Sequence, residues 1–296
     1  QFAYESAVGY SAVIQKTLDL GDITIPKSYK AAMTSNHASY WRQAITEELT
    51  GLIERDTWEV ITVDSLPDDA KLLNCHIVFT VKRKADGSIE RFKCRLVAEG
   101  NTQRPGLDYD RVFATVVKHS TLRILIALAC ANDFNLSSVD VKQAFLQATL
   151  DRPQYMRIPP SLPRFDAAGK PLCLKLKRSI YGLSQASRCW SDIFTKFMLE
   201  YGFVRSSIDT CLFVYKHQEQ TMHACVWVDD VVISDNSPKL RDHFVGALHN
   251  TFPLDDKGPL EWILGIQIKR DRRTRVLTMS QELYIQDVVA KHAAHL

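Results

Sequence analysis

The feature that most constrains the fold is an apolar stretch interrupted by two adjacent acids. Residues 224–234 read Ala-Cys-Val-Trp-Val-Asp-Asp-Val-Val-Ile-Ser. A strand buried on both faces would have to remove both carboxylates from water, which is costly unless something compensates. A tight hairpin with Asp229 and Asp230 at its apex avoids that cost. The stretch therefore predicts a hairpin tipped by two carboxylates, although a plain surface turn also accepts Asp-Asp, because Asp is a common turn residue.

A third acid lies in similar surroundings. Residues 136–141 form a short apolar segment that predicts a strand, with Asp140 near its end. If this strand is a neighbour of the hairpin, three carboxylates meet and repel one another. Such hard oxygen ligands suit Mg²⁺, which takes further ligands from phosphates, and two such ions can promote an in-line displacement at phosphorus. Taken alone, an acid at the position of Asp140 is more often a capping or turn residue than a metal ligand.

The charge distribution favours a polyanionic partner. The net charge of the 296 residues is only +3, but the basic residues are concentrated. Residues 82–95 contain six Lys or Arg against two acids, and residues 170–205 contain seven against two, whereas residues 1–70 contain five against eleven. Two basic segments in one domain favour a polyanionic partner. Solvated strand faces would explain either segment alone equally well.

Several other classes of protein are disfavoured by composition. No apolar run is long enough for a membrane span, and the N-terminus does not resemble a signal peptide. The seven cysteines are scattered and form no C-x-x-C pair, so reduced thiols in an intracellular protein are expected. Because the chain opens with Gln1, we expect it to be a piece of something longer.

Helical and strand-like segments alternate irregularly, which predicts an α+β fold. A loosely attached lead-in is expected before residue 38, and Asp86-Gly87 is a strong turn signal. The proline-rich stretch 153–163 predicts a loop. Predicted helices are 38–55, 121–132, 185–201, 238–251 and 281–293, and predicted strands are 58–63, 76–84, 88–97, 136–141, 173–176, 211–216, 223–234 and a pair within 262–280.

An ordered set of motifs resembles the reverse transcriptases of Ty1/copia-type retrotransposons. Each motif is weak alone, but together they cover about residues 40–290 in the family's order. The matching residues are Trp41-Arg42-x-Ala44, Lys93-x-Arg95-Leu96-Val97-Ala98, Asp140-Val141-x-x-Ala144-Phe145-Leu146, Tyr181-Gly182-Leu183-x-Gln185-Ala186-x-Arg188-x-Trp190, Val228-Asp229-Asp230 and Leu264-Gly265-Ile266.

The resemblance implies a right-hand polymerase fold with fingers, an antiparallel palm sheet with helices on one face, and a partial thumb. It places fingers and palm at 38–255, and the primer-grip hairpin and thumb start at 256–296. It also implies RNA- and DNA-templated DNA synthesis. Asp140, Asp229 and Asp230 match the catalytic triad that binds two Mg²⁺, with Mn²⁺ as a substitute, and the carbonyl of Val141 is a further expected ligand.

Other positions match residues that meet the nucleotide or the primer. Lys82, Lys93 and Arg95 match the cations that face the triphosphate, although strand parity does not decide between Lys93 and Arg95. Phe145 matches the gate that excludes a 2′-hydroxyl, and without the motif it would be an ordinary core residue. The remaining expected positions are Gln185 near the nucleotide, and Trp262, Leu264 and Gly265 in the primer grip.

The partners implied are an RNA template, a DNA primer or product, dNTPs and other parts of a parent Pol polyprotein, with no membrane. The implied location is intracellular, in cytoplasmic virus-like particles with nuclear association. Two alternatives stay open. One is a catalytically silent remnant that at most binds nucleic acid, because His76, Cys94, Thr115, Ser187 and Trp227 depart from the family's usual residues. The other is an unrelated two-metal phosphotransfer enzyme.

Overall fold

The computed structural model of the chain describes residues 23–83 and 88–293. Contacts divide the chain into two compact units, each built from two segments. Unit 1 comprises Gln1–Val112 and Phe145–Cys189, and unit 2 comprises Phe113–Ala144 and Trp190–Leu296. Helices and sheets are mixed, as the sequence predicts. No helix among the described residues is both long and apolar enough to cross a membrane.

All five predicted helices are confirmed, with ends within two residues of the expected positions. Two short helices, α1 and α4, were not expected, and α1 buries Ala32 within the predicted lead-in. The helices in the described residues are α1 (Tyr29–Met33), α2 (Ala38–Glu54), α3 (His119–Ala131), α4 (Ala144–Gln147), α5 (Ala186–Tyr201), α6 (Pro238–Thr251) and α7 (Glu282–His292).

Within residues 23–83 and 88–293, the strands form four separate sheets. In chain order they are β1 (Trp58–Thr62), β2 (Leu72–Leu73), β3 (Cys75–Arg83), β4 (Ile89–Ala98), β5 (Asn135–Val141), β6 (Thr149–Arg157), β7 (Leu172–Arg178), β8 (Val204–Arg205), β9 (Leu212–His217), β10 (Gln220–Trp227), β11 (Asp230–Asp235), β12 (Leu254–Pro259), β13 (Trp262–Ile263), β14 (Ile266–Asp271) and β15 (Val276–Ser280).

Unit 1 contains the β3–β4 hairpin and a four-stranded sheet in the order β1-β7-β6-β2. The apolar stripe of α2 is buried against β4, as its helical spacing predicts. Trp41 is fully buried there and makes edge-to-face contacts with Phe79 and Phe92 of the hairpin. Ile53, which was expected in the same stripe, is instead exposed. The predicted Asp86-Gly87 turn lies outside the described residues.

Unit 2 contains a six-stranded antiparallel sheet in the order β12-β5-β11-β10-β9-β8 and a three-stranded sheet, β13-β14-β15. Helices α3 and α6 pack against its strands. Helix α6 begins where the sequence predicts, because Ser237 accepts a hydrogen bond from the Leu240 amide and Pro238 fills the first helical position. The sheet brings β5 and β11 side by side.

Two strands of six or more residues contradict the sequence-based prediction. The two-residue strands β2 and β8 were not predicted either, and the pair expected within 262–280 is a sheet of three strands. The stretch around Pro153 was expected to be a loop, but it belongs to β6. The pairing of β6 with β7 shifts register between Thr149 and Gln154, and such an irregularity tolerates a proline that cannot donate a hydrogen bond. Strand β12 was also missed, because its Asp-Asp-Lys-Gly sequence lacks alternating apolar residues. The domain boundaries at 37/38 and 255/256 stay predictions.

Candidate active site

The three predicted catalytic aspartates lie together in unit 2. Asp140 on β5 is directly opposite Asp230 on β11 in the antiparallel register. Directly opposite residues of such a pair project from the same face of the sheet. The amide of Val141 donates a hydrogen bond of 2.8 Å to the carbonyl of Asp229, which fixes the hairpin turn beside the end of β5. Backbone pairing therefore sets the relative positions of all three residues.

The hairpin tip differs from the prediction by one residue. Asp230 pairs with Trp227 and begins β11, so the two-residue turn consists of Val228 and Asp229. Both acids were expected at the apex, and only Asp229 is there. The pairing of Trp227 with Asp230 closes the turn, which leaves room for two residues only.

The turn holds a strained residue. Val228 has a φ of 55°, a conformation that a β-branched side chain adopts rarely and at a cost of about 1–3 kcal/mol. Its carbonyl accepts a 2.6 Å hydrogen bond from the indole Nε1 of Trp190, which is buried. Trp190 therefore holds the turn in the strained conformation that presents Asp229.

The carboxylates crowd one another electrostatically. The pKa of Asp230 is raised to about 6, first by burial and then by the charges of Asp229 and Asp140, whereas Lys257 opposes the shift. The Nζ of Lys257 lies 3.9 Å from Oδ2 of Asp140. A cation beside these acids therefore relieves a repulsion that is built into the sheet.

A fourth carboxylate extends the set. Asp255 on β12 is opposite Asp140 in the register, so Asp230, Asp140 and Asp255 form one row across three strands, here called the carboxylate row. Asp255 binds Nζ of Lys142 at 2.6 Å and lies 3.6 Å from Nζ of Lys257. The hydrogen bond from Lys142, together with its charge, lowers the pKa of Asp255. Asp255 is thus paired with lysines, whereas the charge of Lys257 does not offset the raised pKa of Asp230.

The predicted phosphate-binding cations share one face of the β3–β4 hairpin in unit 1. Val78 pairs with Arg95 and Thr80 with Lys93, so Lys93 and Arg95 project from the same side. Lys82 pairs with Arg91 on that side as well. The four cations, here called the basic face, are Lys82, Arg91, Lys93 and Arg95.

Two members of the basic face have distinct surroundings. The pKa of Lys93 is lowered, first by burial and then by the neighbouring positive charges of the same face. The guanidinium of Arg95 lies over the ring of Tyr181, with Cζ 4.5 Å from the ring centroid. Arg95 is therefore exposed and stacked, whereas Lys93 is half-buried among like charges.

Phe145 and Gln185 occupy different environments within unit 1. The ring of Phe145 is partly buried and meets Tyr181 edge to face, with centroids 5.1 Å apart. Gln185 is fully buried, and its Oε1 accepts a 3.0 Å hydrogen bond from Nε2 of Gln103. The structure therefore groups Phe145 with Arg95 around Tyr181, and it places Gln185 in a buried amide cluster.

Two of the three predicted primer-grip residues form a second two-residue turn. Leu264 and Gly265 connect β13 with β14, and both have positive φ values, 49° and 75°. Trp262, at the start of β13, is 45% exposed, whereas Ile263 and Ile266 are buried in the core of unit 2. Trp262 is therefore exposed on a hairpin that Ile263 and Ile266 anchor in the core.

Comparison with known proteins decides the family. The profile of the family described as Reverse transcriptase (RNA-dependent DNA polymerase) matches residues 55–294. The chain belongs to the reverse transcriptase family. The resemblance to the Ty1/copia-type enzymes is thereby confirmed by relatives as well, and the chain is the RNA-directed DNA polymerase domain of such a protein.

The relatives of this reverse transcriptase are long polyproteins. The "Retrovirus-related Pol polyprotein from transposon RE1" of Arabidopsis thaliana is 36% identical over 251 residues, which cover 85% of this chain and 17% of the relative. The corresponding protein from transposon TNT 1-94 of Nicotiana tabacum is 33% identical, over 92% of this chain and 20% of its own length. The "Transposon Ty1-NL2 Gag-Pol polyprotein" of Saccharomyces cerevisiae is 23% identical, over 96% and 16%. The chain thus spans a fifth or less of these relatives.

Polymerases generally use divalent metal ions. The donor types here fit such an ion, because carboxylate oxygens are the ligands that Mg²⁺ prefers. Across residues 23–83 and 88–293, however, no three His, Cys, Asp or Glu side chains are already arranged to hold a metal. Burial first, and then the negative charges of Asp229 and Asp140, raise the pKa of Asp230. A cation at this position would offset the repulsion between these charges, which supports the fit of the site to a cation.

Three residues that neighbour predicted functional residues, within one unit or the other, were missed at the sequence level. Arg91 could have been found, because it belongs to the basic run and strand alternation places it with Lys93. Asp255 would have required recognition of β12 as a strand. Tyr181 carried no signal of its contacts with Arg95 and Phe145, because the three residues come from distant segments.

Proposed function

We propose that this reverse transcriptase domain extends a primer 3′-hydroxyl with dNTPs, copying RNA and DNA templates by two-metal phosphoryl transfer. The observation that carries the proposal is the register that places Asp140 opposite Asp230, with Asp229 in the adjoining turn. Three acids crowd the end of two paired strands. Burial first, and then the charges of Asp229 and Asp140, raise the pKa of Asp230, which means that the ionised acids repel one another. Such repulsion does not stabilise the fold, so the crowding favours a functional role.

The residues that would hold two Mg²⁺ ions are Asp140, Asp229 and Asp230, with the carbonyl of Val141 as a further ligand and Mn²⁺ as a substitute. When bound, such ions activate a hydroxyl nucleophile and stabilise the charge on a leaving pyrophosphate. The chain's own contribution is positional. The sheet register holds Asp140 and Asp230 in place, and the hydrogen bond from Trp190 to the Val228 carbonyl holds the turn that carries Asp229.

The nucleotide-binding contribution is assigned to unit 1. We propose that Lys82, Lys93 and Arg95 of the basic face bind the triphosphate, since cations on one strand face can reach several phosphate oxygens. Phe145 would exclude a 2′-hydroxyl by steric contact. We also keep Gln185 as a residue near the nucleotide. Its Nε2 group is buried and has no hydrogen-bond partner among the described residues, so it has a donor to offer.

The right-hand arrangement is part of the same proposal. The six-stranded sheet of unit 2 would be the palm, and the β3–β4 hairpin would belong to the fingers. The β13–β14 turn, with Trp262, Leu264 and Gly265, would grip the primer, and α7 would begin the thumb. An RNA template, a DNA primer and other parts of a Pol polyprotein are the proposed partners, and cytoplasmic virus-like particles with nuclear association are the proposed location.

The proposal is tested by primer extension with the Asp229→Asn variant. The substitution keeps the side-chain shape and removes one negative charge. We expect loss of DNA synthesis, with template–primer binding within about threefold of wild type, because the contacts to nucleic acid are made elsewhere. Asp68→Asn, in an exposed loop of unit 1, is the matched control and should be fully active. Near-normal turnover by Asp229→Asn would refute the assignment.

A further inference from the structure

Tyr181 lies between two residues of the proposed nucleotide site. The guanidinium carbon of Arg95 is 4.5 Å from the centroid of its ring, and the ring of Phe145 meets it edge to face at 5.1 Å and 68°. Both contacts are of types that orient a side chain, a cation–π contact and an aromatic pair. A single ring therefore contacts the expected phosphate-binding cation and the expected sugar gate.

The backbone of Tyr181 is tightly attached to the end of β4. The amide of Ala98, three residues after Arg95, donates a 2.8 Å hydrogen bond to the Tyr181 carbonyl. The next residue, Gly182, has a φ of +90°, and a Cβ there would lie 2.1 Å from the carbonyl oxygen of Ala98. No other residue fits this close approach, so the position of Tyr181 relative to β4 is fixed by the chain itself.

The other end of the same turn is fixed by a buried amide cluster. The backbone amide of Ser184 donates a 2.8 Å hydrogen bond to Oε1 of Gln103. The Nε2 group of Gln103 then donates to Oε1 of Gln154 at 2.7 Å and to Oε1 of Gln185 at 3.0 Å. Hydrogen bonds therefore fix the segment 181–185 at both ends, and the backbone that carries the Tyr181 ring is held in place.

Tyr181 is not required as a core residue. Its neighbours Ile180 and Leu183 are buried in the hydrophobic core of unit 1, whereas Tyr181 is partly exposed. Burial of the ring thus gives only part of the stabilisation that a core aromatic residue gives. Its fixed backbone and its two oriented contacts favour a role in positioning.

We propose that Tyr181 is a positioning residue that holds Arg95 and Phe145 together, and so couples triphosphate binding to sugar selection. The proposal rests on the nucleotide-binding role given above to those two residues. An arginine side chain loses rotamer freedom when it binds a phosphate, and stacking on Tyr181 reduces that loss in advance. The same ring limits the tilt of Phe145, which sets how closely the gate approaches the sugar.

The test measures nucleotide binding without turnover. The protein is bound to a template whose next unpaired base pairs with adenine, and to a dideoxy-terminated primer that cannot be extended. The Kd values of dATP and ATP are then measured. In Tyr181→Leu we expect the Kd of dATP to rise about three- to tenfold, because the stacking contact is lost. We also expect the ratio of the ATP and dATP Kd values to fall at least about threefold, because Phe145 is released.

Two variants separate positioning from simple destabilisation. Tyr181→Phe keeps the ring and should leave both Kd values within about twofold of wild type. Tyr40→Leu removes a ring of unit 1 that stacks on Phe92 at 5.0 Å, and it should lower the melting temperature without changing the ratio. If Tyr181→Leu loses its cooperative melting, Tyr181→Met removes the ring with a smaller change in volume and repeats the test.

Support for the proposal requires both changes in the Tyr181 variant. An unchanged dATP Kd or an unchanged ratio overturns it, and so does a response equal to that of Tyr40→Leu. A wild-type complex that binds template–primer but neither nucleotide would overturn the proposed function together with this inference. Nucleotide binding by the wild type, with unchanged selectivity in Tyr181→Leu, overturns this inference alone.

Discussion

The two sets of proposed functional residues are held in place by different kinds of contact. In unit 2, the β5–β11 ladder and the hydrogen bond from Val141 to Asp229 fix the aspartates through the backbone. In unit 1, Arg95 and Phe145 are oriented by side-chain contacts with Tyr181. Substitution of an aspartate should abolish catalysis while the backbone stays in place. Substitution of Arg95 or Phe145 should change nucleotide affinity and sugar selectivity only in part.

The largest expected effect is a difference in primer-extension rate between variants of two members of the carboxylate row, Asp140 and Asp255. Asp140→Asn should reduce the single-turnover rate of primer extension at least about a thousandfold, because loss of a metal ligand is worth several kcal/mol and each 1.4 kcal/mol is about tenfold. Asp255→Asn changes the neighbouring residue of the same row, which is neutralised by Lys142, and should cost no more than about threefold. Equal losses in the two variants would show that the row acts as a structural unit.

A smaller effect is expected in the side-chain-oriented set. Phe145→Val should lower the preference for dNTPs over rNTPs about tenfold or more, since a smaller side chain leaves room for the 2′-hydroxyl. The rate with dNTPs should change much less than in Asp140→Asn. The measurement is kcat/KM for dATP and ATP on one template. Unchanged sugar selectivity would remove Phe145 from the proposed site.

The third prediction concerns the turn between the two aspartates. Trp190→Phe keeps an aromatic ring but removes the donor to the Val228 carbonyl, so the free energy of unfolding should fall by about 1–3 kcal/mol. Turnover should fall about tenfold, because the strained turn is released. Urea unfolding and primer extension measure the two effects. Trp262→Phe, at an exposed position, is the control for stability, and equal destabilisation in both variants would count against the role of the hydrogen bond.

The smallest effect is a pH dependence of stability. The pKa of Asp230 rises from 3.8 to about 6 on folding, so the folded state binds the proton more tightly than the unfolded state. The resulting stabilisation is complete below pH 3.8 and is lost as the pH rises through about 6. In EDTA, Asp230→Asn should therefore show a flatter stability profile between about pH 4 and pH 6 than wild type. Identical profiles, measured by urea unfolding, would contradict the crowding of the three acids.

Sequence patterns predicted the backbone-fixed set better than the other. The adjacent acids within 224–234 permit few structures other than a hairpin, and the segment 136–141 predicted a strand with Asp140 near its end. The pairing of that strand with β11 was a hypothesis that the structure confirms. The turn was nevertheless displaced by one residue, because hairpin closure depends on the pairing of Trp227 with Asp230. That pairing is set by the sheet as a whole and leaves no local trace in the sequence.

The side-chain-oriented set was harder to predict. Alternation placed Lys93 and Arg95 on one face, but the contact of Arg95 with Tyr181 joins residues 86 positions apart. The burial of Gln185 depends on Gln103 and Gln154, which polar composition alone would place on the surface. Strand β6 was missed for a related reason, since a register irregularity accommodates Pro153. Long-range contacts decided each of these features.

The most direct test of the central claim is DNA synthesis by the wild-type chain on poly(rA)·oligo(dT) with Mg²⁺. The carboxylates of unit 2 and the cations of unit 1 predict primer extension that requires Mg²⁺ or Mn²⁺, stops in EDTA and weakens steeply with salt as phosphate contacts are lost. A folded chain that binds the template–primer and adds no nucleotide with either metal would contradict the claim, and would identify the domain as a silent nucleic-acid-binding remnant.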